Sequence, residues 1–426
     1  MKNREVLSTL FVGIDVSSKS NEVCAIDFDE TPYLQACFNN NHPGAIALAH
    51  KLAAILMKHS ELSRIVIAME STSCYSTHIA TFLSSTDILM PFKPYVYCLN
   101  PKTTANYKKS YIAEGKSDPI DAFTIADFAR VGRIKTEPWR GSQFLALQRL
   151  TRHRLHLVEA ITREKSYMLT NVFLKFSELA ISSNDNRPFS HNYGATAEAV
   201  LTEFLSPEEI VSTSSDDLVE FICKKSKNSF DDPSKVASLL KKAAVDSYRL
   251  DKCLYEPLTV SIAASFNCIN AFEGEVKKLN KAIEKAIKGF NTNEYLSLVS
   301  IPGIGPVYAS AILAEIGSIK AFKSHDALAK YAGLVWNPNQ SGNFEAEDTY
   351  MSKAGNSFLR YYLIEAANSV KNHSATYNDF YNRKFVEVKK HQHKRALALT
   401  SRKLIRLIFG LLDKNQLYSN CVEHTS

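Results

Sequence analysis

Short apolar runs alternate with polar turns over the first 130 residues. Thr9–Val16 (Thr-Leu-Phe-Val-Gly-Ile-Asp-Val) is mostly apolar, Ser17–Asn21 is polar, and Val23–Ile26 is apolar again, which predicts the two arms of a hairpin. Ile65–Met69 predicts a buried strand that ends on Glu70. Ser71, Thr72 and Ser73 are cap-type residues ahead of a helix of about three turns around His78–Leu83. Ile88–Met90 and Tyr95–Leu99 are two further strand-like runs, stopped by Asn100-Pro101. Alternation of this kind favours an α/β arrangement, a sheet covered by helices.

From Phe144 to Phe176 the period changes. Leu147, Leu150, Leu157, Ile161, Met168 and Val172 recur near three-and-four spacing, while Arg149, Arg152, Arg163 and Lys165 take other faces. Phe272, Val276, Leu279, Ile283, Ala286 and Phe290 repeat the pattern, with lysines between them. Both stretches predict long amphipathic helices that could pair as a coiled coil. Between them, Ser182–Gly194 is Ser- and Asn-rich and predicts a surface loop, and residues 195–250 read as helical. From Tyr295 onward the chain is mostly helical, ending in a candidate helix over Leu397–Leu412. Pro302-Gly303-Ile304-Gly305-Pro306 joins two apolar segments there. The resulting division is 1–135, 140–292 and 293–415.

Composition narrows the class only slightly. Apolar residues make up 45% and charged residues 22%, which excludes wholesale disorder and collagen-like architecture. A net charge of +7 is mild for this length, so any nucleic-acid argument must come from where charges cluster. Eight cysteines without a CxxC pair predict a reduced, cytoplasmic protein with no zinc site. No long apolar stretch predicts a membrane span or a signal peptide.

The chemistry-bearing residues are acidic. Asp15 and Glu70 terminate predicted buried strands, where a carboxylate is costly unless paired or bound to metal. In Lys116-Ser117-Asp118-Pro119-Ile120-Asp121, Pro119 suits a first helical turn, so Asp118 falls at or near the N-cap and Asp121 one turn on, along the same face. Four carboxylates suit a hard cation such as Mg²⁺ or Mn²⁺, and paired ions can clamp the attacking and leaving oxygens of a phosphodiester. Taken singly, Asp15 could cap the hairpin turn, Glu70 could be a solvated strand end, and Asp118 and Asp121 could serve only the cap and the helix dipole. Around Gly303 and Gly305, backbone N–H groups could form a phosphate-binding nest resembling a helix-hairpin-helix, or simply a tight interhelical turn.

Gly13-Ile14-Asp15-Val16-Ser17, Met69-Glu70-Ser71-Thr72 and Lys116–Ala122 resemble, in this order, the Asp-Glu-Asp-Asp set of the DEDD transposases of bacterial insertion sequences (the IS-one-ten type). Ile301–Pro306, Leu313–Gly317, Tyr331–Leu334, Gln340-Ser341-Gly342 and Ser352–Asn356 with Leu359-Arg360 resemble that family's C-terminal domain. Ser18 and Ser73 depart from the residues common in the family, leave the acids intact, and no motif is matched over residues 180–270. The resemblance implies a RuvC-like, RNase H-fold N-terminal domain, a helical or coiled-coil middle, and a mostly α C-terminal transposase domain. It also implies a recombinase that cuts and rejoins DNA with Mg²⁺ or Mn²⁺ on Asp15, Glu70, Asp118 and Asp121. Ser341 matches the family's nucleophilic serine, with Ser352 as a rival that could instead be the N-cap of the helix through Leu359. A guide RNA encoded by the element and association with the nucleoid follow from the same resemblance. A homo-oligomer is expected because exchange joins two duplexes and the candidate coiled-coil helices carry apolar seams.

Two basic clusters agree with nucleic acid as partner. Lys93, Lys102, Lys108, Lys109 and Lys116 are interleaved with Tyr95, Tyr97, Tyr107 and Tyr111, and nine Lys or Arg between Arg383 and Arg406 face only Glu387. Gly303, Gly305, Lys353 and Arg360 are further expected contacts. A Holliday-junction resolvase needs only the four acids. An actin-like ATPase or sugar kinase would need further glycine-rich phosphate loops, which the second half lacks.

Overall fold

A computed structural model of the chain describes residues 3–71, 74–109, 118–134, 137–181, 187–289, 293–336, 340–341, 344–345 and 351–419. They form two compact units, residues 1–148 with 290–426, and residues 149–289.

The N-terminal part of the first unit runs α1 (Asn3–Leu7), β1 (Thr9–Val16), β2 (Ser20–Ile26), β3 (Pro32–Asn39), α2 (His42–Lys58), β4 (Arg64–Glu70), α3 (Ser76–Ser85), β5 (Tyr95–Leu99), α4 (Pro101–Lys108) and α5 (Asp118–Arg130). The five-stranded mixed sheet has the order β3-β2-β1-β4-β5, antiparallel from β1 to β3 and parallel across β1, β4 and β5. This is compatible with an RNase H-like domain. Strand parity sorts the core into two layers. Leu10, Val12 and Ile14 of β1, with Ile65, Ile67 and Met69 of β4, pack beneath α2 and α3. Phe11, Val66 and Ala68 face the other way, onto Ala122, Ile125 and Ala126 of α5.

Several local expectations are corrected. Ile88–Met90 is no strand: Pro91 follows, and the chain forms a 3₁₀ turn over Met90–Phe92. Helix α3 starts after Tyr75, which makes no side-chain cap, rather than directly on the Ser71–Ser73 stretch, of which Thr72 and Ser73 lie outside the described residues. β3 and α2 are additions. Asn41 caps α2 by accepting from Gly44 N at 2.9 Å, and Pro43 occupies its first turn.

In the second unit α6 (Ser142–Lys175, counted from Arg149) and α12 (Lys252–Lys288) run side by side and antiparallel. Arg154 Nε donates to Asn280 Oδ1 at 2.7 Å, Ser265 Oγ to Glu164 Oε1 at 2.6 Å, and Lys165 pairs with Glu273 at 2.9 Å. Between them lie α7 (Ser177–Ile181), α8 (Ala195–Glu203), α9 (Pro207–Ser212), α10 (Ser215–Ser226) and α11 (Pro233–Asp246). Val200, Ile210, Leu218, Ile222 and Leu240 close a core against Met168, Val172, Ile262 and Phe266 of the long pair.

The first unit resumes with α13 (Asn293–Val299), α14 (Pro306–Ile316), α15 (His325–Ala332), the hairpin β6 (Gln340–Ser341) and β7 (Phe344–Glu345), α16 (Ser357–His373), α17 (Ala375–Val386) and α18 (Gln392–Lys414). Ile312, Leu328, Leu359, Leu363, Leu404 and Ile408 are fully buried in its core. Among the described residues no helix is long and apolar enough to cross a membrane.

Candidate active site

Strand parity decides where the acids go. Asp15 shares the α5-facing side of β1 with Phe11 and Gly13, and Glu70 shares the same side of β4 with Val66 and Ala68. Ile14 pairs with Met69 in parallel register, so the next positions, Asp15 and Glu70, end adjacent strands side by side. Helix α5 starts at Asp118 and passes over Gly13, where a Cβ would overlap the backbone of Ala122 and Ala126. That glycine lets the helix descend until its first turn meets the strand ends. Asp15, Glu70 and Asp121 then line one cavity of about 470 Å³, together with Thr104, Lys108 and Thr124. Asp118 is exposed at the start of the helix, yet close enough to act electrostatically on Asp15.

The cavity calls for positive charge. Burial pushes the Asp15 carboxyl above its ordinary value, and the negative charges of Glu70 and Asp118 push it further, with Lys108 opposing. Asp121 Oδ1 is buried and faces the ammonium of Lys108, and Thr104 donates its hydroxyl to Glu70 Oε1. Among the described residues no three His, Cys, Asp or Glu side chains are already arranged as a metal cage. The donor set nevertheless fits a hard cation: oxygen ligands only, crowded like charges, and a buried carboxylate oxygen matched by a lysine rather than by hydrogen bonds.

A further acid, marked by no motif in the sequence, fixes α5. Asp127 is buried and accepts from Tyr107 Oη of α4 at 2.6 Å and from Arg130 Nε at 2.7 Å. Arg130 also donates to the Phe28 carbonyl at 3.0 Å and pairs with Glu30, both in the β2–β3 turn. Both α4 and the β2–β3 turn are thereby tied to the helix that carries Asp121. The partners lie 20 and about 100 residues from Asp127 and Arg130, so local spacing gives no sign of them.

The C-terminal candidates fall into three places. Ser341 ends β6, paired with Phe344 across the hairpin; its side chain lies outside the described residues, as does the whole of Lys116. Gly303 has φ +94° and lies against the backbone of Val370 in α16, so its missing side chain serves packing, whereas Gly305 faces open space at the N-cap of α14. Lys353 is exposed in a left-handed turn. Arg360 Nη1 donates to the carbonyls of Ala332 and Lys353 at 3.1 and 2.8 Å, pinning that turn to the end of α15. Lys109 is exposed at the end of α4. Ser352 is not the cap of α16. Asn356 is, accepting from Leu359 N at 3.0 Å, while its Nδ2 donates at 2.7 Å to Glu315, a carboxylate only 4% exposed in α14. Asn356 thus joins Arg360 in tying the residues just ahead of α16 to the rest of the domain.

Comparison with known proteins agrees with both halves. A transposase model of the DEDD type matches residues 12–174, and the model of the transposase IS116/IS110/IS902 family matches residues 296–382. An uncharacterized 42 kDa protein of insertion element IS900 from Mycobacterium paratuberculosis is 27% identical over 320 residues, 74% of this chain and 76% of the relative. A 44.8 kDa protein of insertion element IS116 from Streptomyces clavuligerus is 24% identical over 75% of this chain and 76% of its own. The transposase of insertion sequence IS1111A from Coxiella burnetii is 29% identical over 40% of this chain and 43% of its own.

Proposed function

The chain belongs to the IS116/IS110/IS902 family of DEDD transposases, enzymes of DNA recombination, and from that premise we propose how its residues divide the work. Asp15, Glu70, Asp118 and Asp121 hold Mg²⁺ or Mn²⁺, which when bound activates a phosphodiester and stabilises the developing negative charge. Ser341 Oγ attacks phosphorus: the Oγ–P bond forms, one strand P–O bond breaks, and the serine proton, relayed through a carboxylate of the acidic set, goes to the departing strand oxygen, which leaves as a free hydroxyl end. The phosphoserine conserves the ester bond energy, and attack by a hydroxyl end of another strand releases serine and joins the DNA. A guide RNA of the element selects the sites by base pairing, and a homo-oligomer brings two duplexes together.

One observation supports this reading above the rest: carboxylates from β1, β4 and α5, separated widely in sequence, line a single cavity. The test incubates purified chain with element ends, target duplex, flanking noncoding RNA and Mg²⁺. Joined products are expected with all components, and are expected to fall by at least about a hundredfold for Asp15→Asn and for Ser341→Ala. Strand cutting that survives Ser341→Ala would identify hydrolysis by the acids alone and overturn the serine step.

A further inference from the structure

The acidic cavity makes no use of the positive face carried by α17 and α18. Three cations converge there on one ring: Arg383 lies 5.7 Å, Lys384 5.8 Å and Lys403 4.9 Å from the centroid of Phe380. Lys403 also sits 4.9 Å over Tyr377, and on the same face Lys371 lies 4.8 Å over Tyr381. Glu387 neutralises Lys384 and Arg395. Among the described residues Arg383 and Lys403 have no carboxylate within ion-pairing distance, and the exposed Lys389, Lys390 and Lys394 beside them have none either. Burial and the nearby guanidinium of Arg383 hold the Lys403 ammonium below its ordinary value, with Asp379 only partly opposing.

Freely solvated lysines spread apart. Here two packed helices gather cations around an aromatic platform and leave their repulsion uncompensated, an arrangement that gains most when an anion arrives. The ring faces are taken by the cations, so this surface offers charge rather than a stacking platform for unpaired bases. We propose that Arg383 and Lys403 form a backbone-phosphate site for duplex DNA, which positions the duplex without reading its sequence. The choice of DNA rests on the transposase function proposed above; the anion site itself rests on the convergence of charge.

The experiment measures binding of the full chain to a fluorescent duplex of arbitrary sequence, by anisotropy, from about 50 to about 200 mM salt. The double variant Arg383→Gln, Lys403→Gln is expected to bind about tenfold more weakly, with a log–log salt slope shallower by about 1.8, the value for two lost phosphate contacts. Lys403 also donates to the Thr376 carbonyl at 3.3 Å, so Arg383→Gln alone, at an exposed position, is the second variant. Its expected slope change is about 0.9. Unchanged affinity and slope in a folded variant would overturn the site. Loss confined to a structured RNA, with duplex DNA unaffected, would overturn the DNA assignment. A wild-type chain that binds duplex DNA with this salt dependence yet joins no strands when given element ends, target, noncoding RNA and Mg²⁺ would sink the catalytic reading and leave the phosphate site standing.

Discussion

Gly13 is the residue on which the geometry of the acids turns. Any Cβ there would overlap the Ala122 carbonyl and the Ala126 nitrogen, and α5 would have to rise from the sheet. Overpacking of this kind costs about 1–3 kcal/mol. The larger consequence is that Asp121 rides on the displaced helix while Asp15, two residues from Gly13, does not. Gly13→Ala is therefore expected to lower unfolding stability by about 1–3 kcal/mol and to weaken Mn²⁺ binding by at least about tenfold, measured by urea unfolding and isothermal titration. Wild-type Mn²⁺ affinity in this variant would mean that α5 does not set the site. In the sequence Gly13 is one letter of Gly-Ile-Asp; its role is legible only once small residues on α5 are seen to meet it.

At the scale of elements, β1 and β4 were legible because apolar runs bounded by an acid have few other ways to fold. The long helices were legible from their periodic stripes. Helix α2 was harder: half its buried face is alanine (Ala45, Ala49 and Ala53 beside Leu48, Leu52 and Leu56), which blurs the contrast between faces. Ser352 lost the cap to Asn356 because the left-handed Lys353 and Gly355 turn the chain before the helix begins. The α6–α12 pair holds a feature that no pattern announces. Lys175 is 0% exposed; its Nζ donates to the Leu201 carbonyl at 2.7 Å and to Thr259 Oγ1 at 2.6 Å. Burial pulls its ammonium down to about 8, against about 10.4 in an unfolded chain. Between those values the unfolded chain holds the extra proton, so stability rises with pH there; below about 8 both states are charged and the cost of burial is complete. Comparing wild type with Lys175→Met by urea unfolding, the stability difference is expected to move toward wild type by about 1–3 kcal/mol from pH 7.5 to about 10. A difference that stays flat with pH would show that Lys175 is not held in this environment.

For the molecule as a whole, the acids were readable as one candidate set, while the contacts that bring them together were not. Strand parity, the register of β1 on β4, the missing side chain at Gly13 and the Asp127–Tyr107–Arg130 ties together make one cavity from four segments. The resemblance supplied the serine; the fold supplies a hairpin for its backbone and, through Asn356 and Glu315, a fixed start for α16. Chemistry that spans both halves of the chain demands that the serine and the acids act on the same phosphate. The most direct measurement traps the reaction on a nicked suicide substrate with Mn²⁺, denatures it, and maps any DNA–protein adduct by mass spectrometry. The expected result is a phosphodiester on Ser341 in the wild type and none in Asp15→Asn. An adduct on another residue, or one on Ser341 that forms equally well without Asp15, would contradict the account.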